Sequence, residues 1–186
     1  MRENARDWFE HFTPETEPEA GDRQAILRLF DVFDGDVLTR DNITCHLTAS
    51  VWITDPAREK TVMAWHNIYK SWSWIGGHAD GDSDLLRVAV RETREETGLD
   101  ASPARDEPVS IELLGVNGHY KKGVWVAPHL HINATFHLIA PAGSVPRVKE
   151  DENSGIGFFT KEEALTLPDE PFMLPVYRKL IGRTML

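Results

Sequence analysis

The sequence predicts an α+β fold, with a mixed sheet held between helices as an α/β/α sandwich. Three observations predict it. Runs rich in β-branched and aromatic residues occur at 46–54 (HLTASVWIT) and 60–66 (KTVMAWH). One well-marked helical stretch, 84–97, follows them. More strand-like segments come next, and two short helical segments close the chain. Strands, one helix, more strands, then helices is not the alternation of a regular βαβ array.

Taken in order, the elements begin with Trp8, Phe9 and Phe12, which suggest a short first helix. The stretch Thr13 to Gly21, with two prolines and several glutamates, has the composition of a loop. Ile26, Leu27, Leu29, Phe30 and Phe33 then fall at helical spacing, and Gly35 is placed to end that helix. Residues 1–44 are therefore expected to form a helical N-terminal extension packed on a main domain of residues 45–186. So many aromatics argue against a flexible acidic tail. The two strand runs are joined by Asp55-Pro56, a turn signal, and form a predicted hairpin. Later strands are expected at 109–119, 123–126, 131–139 and 155–159, and helices at 161–165 and 175–181.

Composition limits the function. The chain has 186 residues and a formal charge of −10, with 41% hydrophobic and 27% charged residues, as in ordinary globular proteins. The first 36 residues hold ten acids and four arginines, more than half of the net negative charge. Such a balance opposes sequence-independent nucleic-acid binding, which requires a basic surface, and gives no polybasic membrane anchor. No apolar run approaches the roughly 18 residues of a membrane span. The N-terminal MRENARDWFEHF lacks the apolar stretch of a signal peptide. Cys45 is the single cysteine, so no intrachain disulfide forms. A cytoplasmic protein is expected.

The chemistry is concentrated in 76–99, GGHADGDSDLLRVAVRETREETGL. Ser83 or Asp82 can cap the helix, Asp84 suits the positive end of its dipole, and Gly98 suits a left-handed stop. A turn of 100° per residue places Leu86, Ala89, Val90, Thr93 and Thr97 on the buried stripe. Glu92, Glu95 and Glu96 project from an adjacent arc, and as i, i+3 and i+4 neighbours they repel one another. A solvated face screened by Arg87, Arg91 and Arg94 would tolerate this, and so would a hard divalent cation bound by the carboxylate oxygens.

The spacing from Gly77 to Leu99 resembles the Nudix box, Gly-x5-Glu-x7-Arg-Glu-U-x-Glu-Glu-x-Gly-U with U apolar. Seven of its nine specified positions match: Gly77, Arg91, Glu92, Glu95, Glu96, Gly98 and Leu99. Thr93 stands at an apolar position, and Ser83 stands where the box has its first glutamate. Asp80, Asp82 and Asp84 are near enough to replace that acid. The resemblance covers roughly 45–166 and includes a bacterial Nudix subgroup without an assigned function. It implies the Nudix fold and hydrolysis of a diphosphate linkage in a nucleoside diphosphate joined to another moiety. It further implies Mg²⁺ or Mn²⁺ bound by Glu92, Glu95, Glu96 and the Gly77 carbonyl, with Arg91 holding the carboxylates in place. The catalytic candidates are Glu95, Glu96 and, from a later acidic loop, Glu152. The expected partner is a small phosphorylated, nucleotide-like molecule, with neither a nucleic-acid polymer nor a membrane. The extension is a candidate to shape the substrate cleft or a homodimer interface.

Other residues carry two readings each. His78 is placed to contact a phosphate, or to pack. Trp72 and Trp74 share a face in a strand and could stack on a base or fill the core. His119, Tyr120, Lys121 and Lys122 form a basic and aromatic cluster suited to a phosphate, or a plain surface hairpin. His129 and His131 share a strand face, and with His119 they make a candidate second metal site or a polar sheet face. A ligand-binding sensor that has lost turnover and an isoprenoid diphosphate isomerase using Cys45 are the competing functions.

Overall fold

The computed structural model describes residues 4–186 except Gly35, Tyr69 and Lys122. In chain order the elements are α1 (Asp7–Glu10), α2 (Glu17–Val32), β1 (Cys45–Thr54), β2 (Lys60–His66), β3 (Ser71–Ser73), β4 (Ile75–His78) and α3 (Leu85–Thr97). They continue with β5 (Ser102–Pro103), β6 (Ser110–Val116), β7 (His119–Lys121), β8 (Val124–Val126), β9 (His129–Ile139) and β10 (Asn153–Thr160). The chain ends with α4 (Lys161–Thr166), a 3₁₀ turn (Pro171–Met173) and α5 (Leu174–Thr184). Among the described residues no helix is long and apolar enough to cross a membrane.

The main sheet runs β10-β2-β1-β9-β5, with β3 on β2, β4 on β1 and β6 on β9. Among the described residues only β1 and β9 pair in parallel, over ten residues from Cys45↔Leu130 to Thr54↔Ile139. A predominantly antiparallel sheet with one parallel ladder at its centre is the mixed sheet the sequence predicts. β1 is buried along its whole length. Its alternation sends Cys45, Leu47, Ala49, Val51 and Ile53 into the main hydrophobic cluster, which also takes Val88 and Ala89 of α3. The other face carries His46, Thr48, Ser50 and Thr54, and its hydroxyls find partners: Thr48 and Ser50 donate to Asn133 Oδ1 at 2.9 and 2.8 Å, and Thr54 Oγ1 lies 2.9 Å from His137 Nε2. Buried polar groups without partners would cost more than the strand gains by their burial. Farther along that face Trp52 packs with Tyr177 of α5 in a second cluster.

Helical structure in the N-terminal segment is present, and it is longer than expected. The composition of Thr13 to Gly21 predicts a loop, yet α2 starts at Glu17: Thr16 caps it by accepting from Glu19 N, and Pro18 sits in the first turn. A proline is compatible there because the first-turn N–H groups have no helical partner. The helix ends at Val32, before Gly35, the expected stop, which lies outside the described residues. The segment is tied to the sheet by Trp8, whose ring meets Phe136 edge-on at 5.3 Å. The Glu19 carboxylate is buried, takes both Nη1 and Nη2 of Arg183 at 2.8 and 3.0 Å, and lies 3.1 Å from Lys179 Nζ. Lys179 continues to Glu112 at 3.0 Å, and Glu112 accepts from Asn133 Nδ2 at 2.8 Å. One polar chain therefore joins α2, α5, β6 and β9.

Two expectations about α3 shift slightly. Its N-cap is Asp84, which accepts from Arg87 N, while Asp82 turns to the Arg87 guanidinium. The stripe facing the core contains Leu85 and Val88, with Leu86 and Val90 half-buried beside it, so the helix is rotated toward its glutamates. Glu96 thereby becomes buried. Gly98 ends the helix at φ 67, the left-handed stop that glycine adopts without strain.

Candidate active site

β4 carries the glycine pair into the sheet and α3 returns across it. β4 pairs with β1 through Gly76↔Ser50, Gly77↔Ala49 and Thr48↔His78, which fixes where the two glycines lie. A Cβ on Gly77 would fall into the Glu92 carboxylate, with Oε1 2.7 Å away. A side chain of α3 occupies the place a Cβ here would take, so the Glu92 carboxylate keeps its position because residue 77 is glycine. Glu96 Oε1 accepts a hydrogen bond from Gly76 N at 3.2 Å.

Glu92, Glu95, Gly76, Gly77 and Glu152 line one cavity of about 520 Å³, with Arg40, Lys121 and Lys149 also on its wall. Arg91 donates to the His78 carbonyl at 3.2 Å and to Glu92 Oε1 at 3.0 Å, and its Nε lies 3.9 Å from Glu95 Oε1. It braces the carboxylates between strand and helix. Glu95 is half exposed and Glu92 mostly buried, at 51% and 13% of their side-chain surface. Burial pushes the Glu92 carboxyl above its ordinary range, against the pull of Arg91. Glu96 goes further, to about 8, first because it is buried and then because Glu152 and Glu92 are near. Glu152 itself reaches Lys149 Nζ at 3.0 Å.

These carboxylates and the adjacent glycine backbone are hard oxygen donors, and the charge gathered on them is undercompensated by the protein's own cations. Such a donor set fits a divalent cation of the Mg²⁺ type. None of the three aspartates expected to stand in for the missing box glutamate reaches Arg91 by a hydrogen bond among the described residues. Asp80 is held by Arg40 at 2.9 and 2.8 Å, Asp82 by Arg87, and Asp84 caps the helix. At Ser83, the carbonyl accepts from Trp8 Nε1 at 3.0 Å, so the N-terminal segment steadies the loop that enters α3.

The remaining sequence candidates lie in three places. His78, His119 and Lys121 line a second cavity of about 460 Å³, which shares Arg40, His66, His78 and Lys121 with the carboxylate cavity. Trp72 packs against Phe159 at 4.8 Å and Trp65 at 5.9 Å, and Trp74 against Tyr177 at 5.8 Å; neither lines either of these two cavities. Tyr120 lies on the carboxylate cavity, and its neighbour Lys122 is outside the described residues. Cys45 is fully buried in the main cluster, where burial pushes its thiol up, so it has no access to a substrate. Sequence reasoning missed Arg40, His46, His66 and Lys149. The fold gathers them on these two cavities from separate stretches of the chain, and only the known Gly-to-Glu spacing signals a pocket.

The NUDIX domain family model matches residues 44–180. Solved structures of the same fold include a NUDIX-family hydrolase from Clostridium perfringens, 18% identical, TM-score 0.56, covering 74% of this chain and 96% of that one. A C. elegans Ap4A hydrolase is 20% identical with TM-score 0.53, covering 73% and 95%. The MutT protein from Methanosarcina mazei Go1 is 14% identical with TM-score 0.59, covering 75% and 94%. No curated protein matches the chain by sequence. The family match over most of the chain, on a fold carrying the box helix beside its glycine turn, is decisive: the chain belongs to the Nudix hydrolase family.

The glycine contact yields a test of the site. Gly77→Ala is expected to lower hydrolytic turnover about a hundredfold while Tm falls by no more than a few degrees. The new methyl displaces the mobile end of Glu92 and leaves the backbone in place, and misplacing a positioned group by about 1 Å costs that order of rate. Steady-state kinetics beside a thermal melt checks it. A large loss of Tm, or full activity, would contradict the arrangement.

Proposed function

We propose that the chain is a divalent-metal-dependent hydrolase that cleaves the diphosphate linkage of a nucleoside diphosphate joined to another moiety, or of a similar nucleotide. The observation that carries this reading is the placement of Glu92 and the buried Glu96 against the Gly76–Gly77 backbone, beside a cavity lined by Glu92, Glu95 and Glu152. Glu92, Glu95, Glu96 and the Gly77 carbonyl would hold the ion, Mg²⁺ or Mn²⁺. When bound, the cation supplies charge neutralisation on the diphosphate oxygens and a lowered pKa for an attacking water.

The chain's own residues do the rest. Arg91 fixes Glu92 and steadies the turn through the His78 carbonyl. Lys121 and Arg40, on the walls of both cavities, attract the phosphates and hold them near the carboxylates. Glu152, with Glu95 and Glu96, is a candidate to take the proton from water, and its ion pair with Lys149 orients it. Residues 45–186 form the catalytic domain in this reading, and 1–44 an extension that buttresses its entry loop. Structures of the same fold include an E. coli dihydroneopterin triphosphate pyrophosphohydrolase and the C. elegans Ap4A hydrolase, so the substrate class is broad.

The test is product release from a panel of nucleoside diphosphate sugars, dinucleotides and nucleoside triphosphates, with Mg²⁺ and with Mn²⁺. Cleavage at a P–O–P bridge that ceases on chelation is the expected result. Tight binding of such compounds without turnover would favour a sensor instead.

A further inference from the structure

The second cavity contains a cluster that the carboxylate chemistry does not use. His46 on β1 and His131 on β9 are register partners in the parallel ladder, and His129 precedes His131 by two, so all three rings stand on one face of adjacent strands. Their ligand atoms all lie within 4.8 Å of one another. His119, expected to belong with them, is farther off, its ring 6.4 Å from that of His129.

Hydrogen bonds determine which nitrogens are free. His46 Nδ1 lies 3.1 Å from the Asn42 carbonyl, and His129 Nδ1 lies 2.9 Å from the Ala127 carbonyl. A carbonyl only accepts, so both Nδ1 atoms carry protons and both Nε2 atoms present lone pairs. His46 is 95% buried, with 5% of its surface exposed, and its Nε2 has no hydrogen-bond partner. An imidazole that donates Nδ1–H to a backbone carbonyl and keeps a bare Nε2 is the usual form of a metal-ligating histidine. His131 Nε2 lies 3.3 Å from His129 Nε2. Two nitrogens bound tetrahedrally at zinc–nitrogen distances are separated by about 3.3 Å. Apart from an ion, that spacing is explained by a proton on His131 Nε2, which a tautomeric shift to Nδ1 would clear.

We propose that His46, His129 and His131 bind one zinc-type transition-metal ion, separate from the box carboxylates, with its fourth position open to the cavity. Three imidazoles suit a borderline-soft ion, whereas Mg²⁺ prefers the oxygen donors on the other side of His78. Three protein ligands with one open position is the pattern of a zinc that binds a water or an anion. Lys121 and Arg40 on the same wall suit an anionic ligand there.

The test uses the full chain in excess Mg²⁺. Zinc is titrated calorimetrically, cobalt is followed by its visible d–d absorption, and the zinc-loaded wild type is examined by X-ray absorption. Expected are one equivalent of either metal and a first shell of about three imidazole nitrogens at ~2.0 Å. Affinity should fall about a hundredfold or more in His46→Gln and in His129→Gln, since loss even of an outer-shell partner costs 10- to 100-fold. A Glu92→Gln, Glu95→Gln double variant should keep zinc affinity within about threefold, its ligands being untouched. Failure of wild type to bind zinc or cobalt, an oxygen-only first shell, or loss of binding in the glutamate variant alone would overturn the proposal. The absorption measurement decides on wild type even if a histidine variant does not fold.

Discussion

Replacing Glu96 by glutamine is expected to lower hydrolysis about a thousandfold, some 4 kcal/mol of transition-state stabilisation, while making the metal-free protein more stable. The opposite signs come from one cause. Glutamine keeps the shape and can still accept from Gly76 N, so the local fold is retained. It carries no charge to bind an ion or to take a proton, so activity is lost. In the metal-free protein the native carboxyl is raised to about 8 from an ordinary 4.5. A raised carboxyl holds its proton in the folded state where the unfolded chain has released it. Its contribution to stability is complete below about pH 4.5 and is lost as pH rises to about 8, the loss amounting to about 3 kcal/mol by pH 7. Chelated wild type should therefore lose Tm across that interval, and Glu96→Gln should not. Adding Mg²⁺ should restore wild type far more than the variant. Melts from pH 4 to 9, with and without cation, check the claim, and parallel pH dependence of the two proteins would refute it.

Glu19→Gln should be the most damaging change to the fold outside the apolar core. Burial on its own would raise this carboxyl, but hydrogen bonds and charge from Arg183 and Lys179, with a backbone bond, prevail and hold it at about 2. Because the folded value is depressed, the stability it contributes is present above the unfolded pKa near 4.5 and disappears as pH falls toward 2. The shift corresponds to about 3 kcal/mol. Removing the charge leaves Arg183 and Lys179 short of a buried partner, a defect that costs about 3–5 kcal/mol, or about 10 °C in Tm for a chain of this size. Urea melts at pH 7 and at pH 3 should show a large gap between wild type and variant that narrows in acid. A loss under about 1 kcal/mol at pH 7 would mean that α2 is only loosely attached.

The box helix, its glycine stop and the hairpin strand β1 were legible because each is encoded within about 20 neighbouring residues. Local signals failed where the deciding contact is remote or the element is short. Prolines in the segment before α2 suggested a loop, although Pro18 occupies the first helical turn, where it is harmless. β3 and β4 have only three and four residues, and β4 contains two glycines, so neither has a strand signature of its own. The burial of Glu96 depends on a small rotation of α3 against β1 that periodicity does not resolve. His129 and His131 were paired by alternation along one strand. His46 was not, because its partner lies across a parallel ladder, and parallel partners have no sequence pattern linking them.

That ladder has a consequence during synthesis. Its partners are 85 residues apart, as for Thr48 and Asn133. β1 must wait for most of the domain to leave the ribosome before its central neighbour exists. Non-local pairing of this kind folds slowly and leaves apolar edges available to other chains in the meantime. A fragment ending at residue 126, with β1 made and β9 absent, is expected to collect in the insoluble fraction while the full chain remains in the supernatant. Comparing the two after expression at the same level would show whether the nascent chain is as vulnerable as this order of assembly requires.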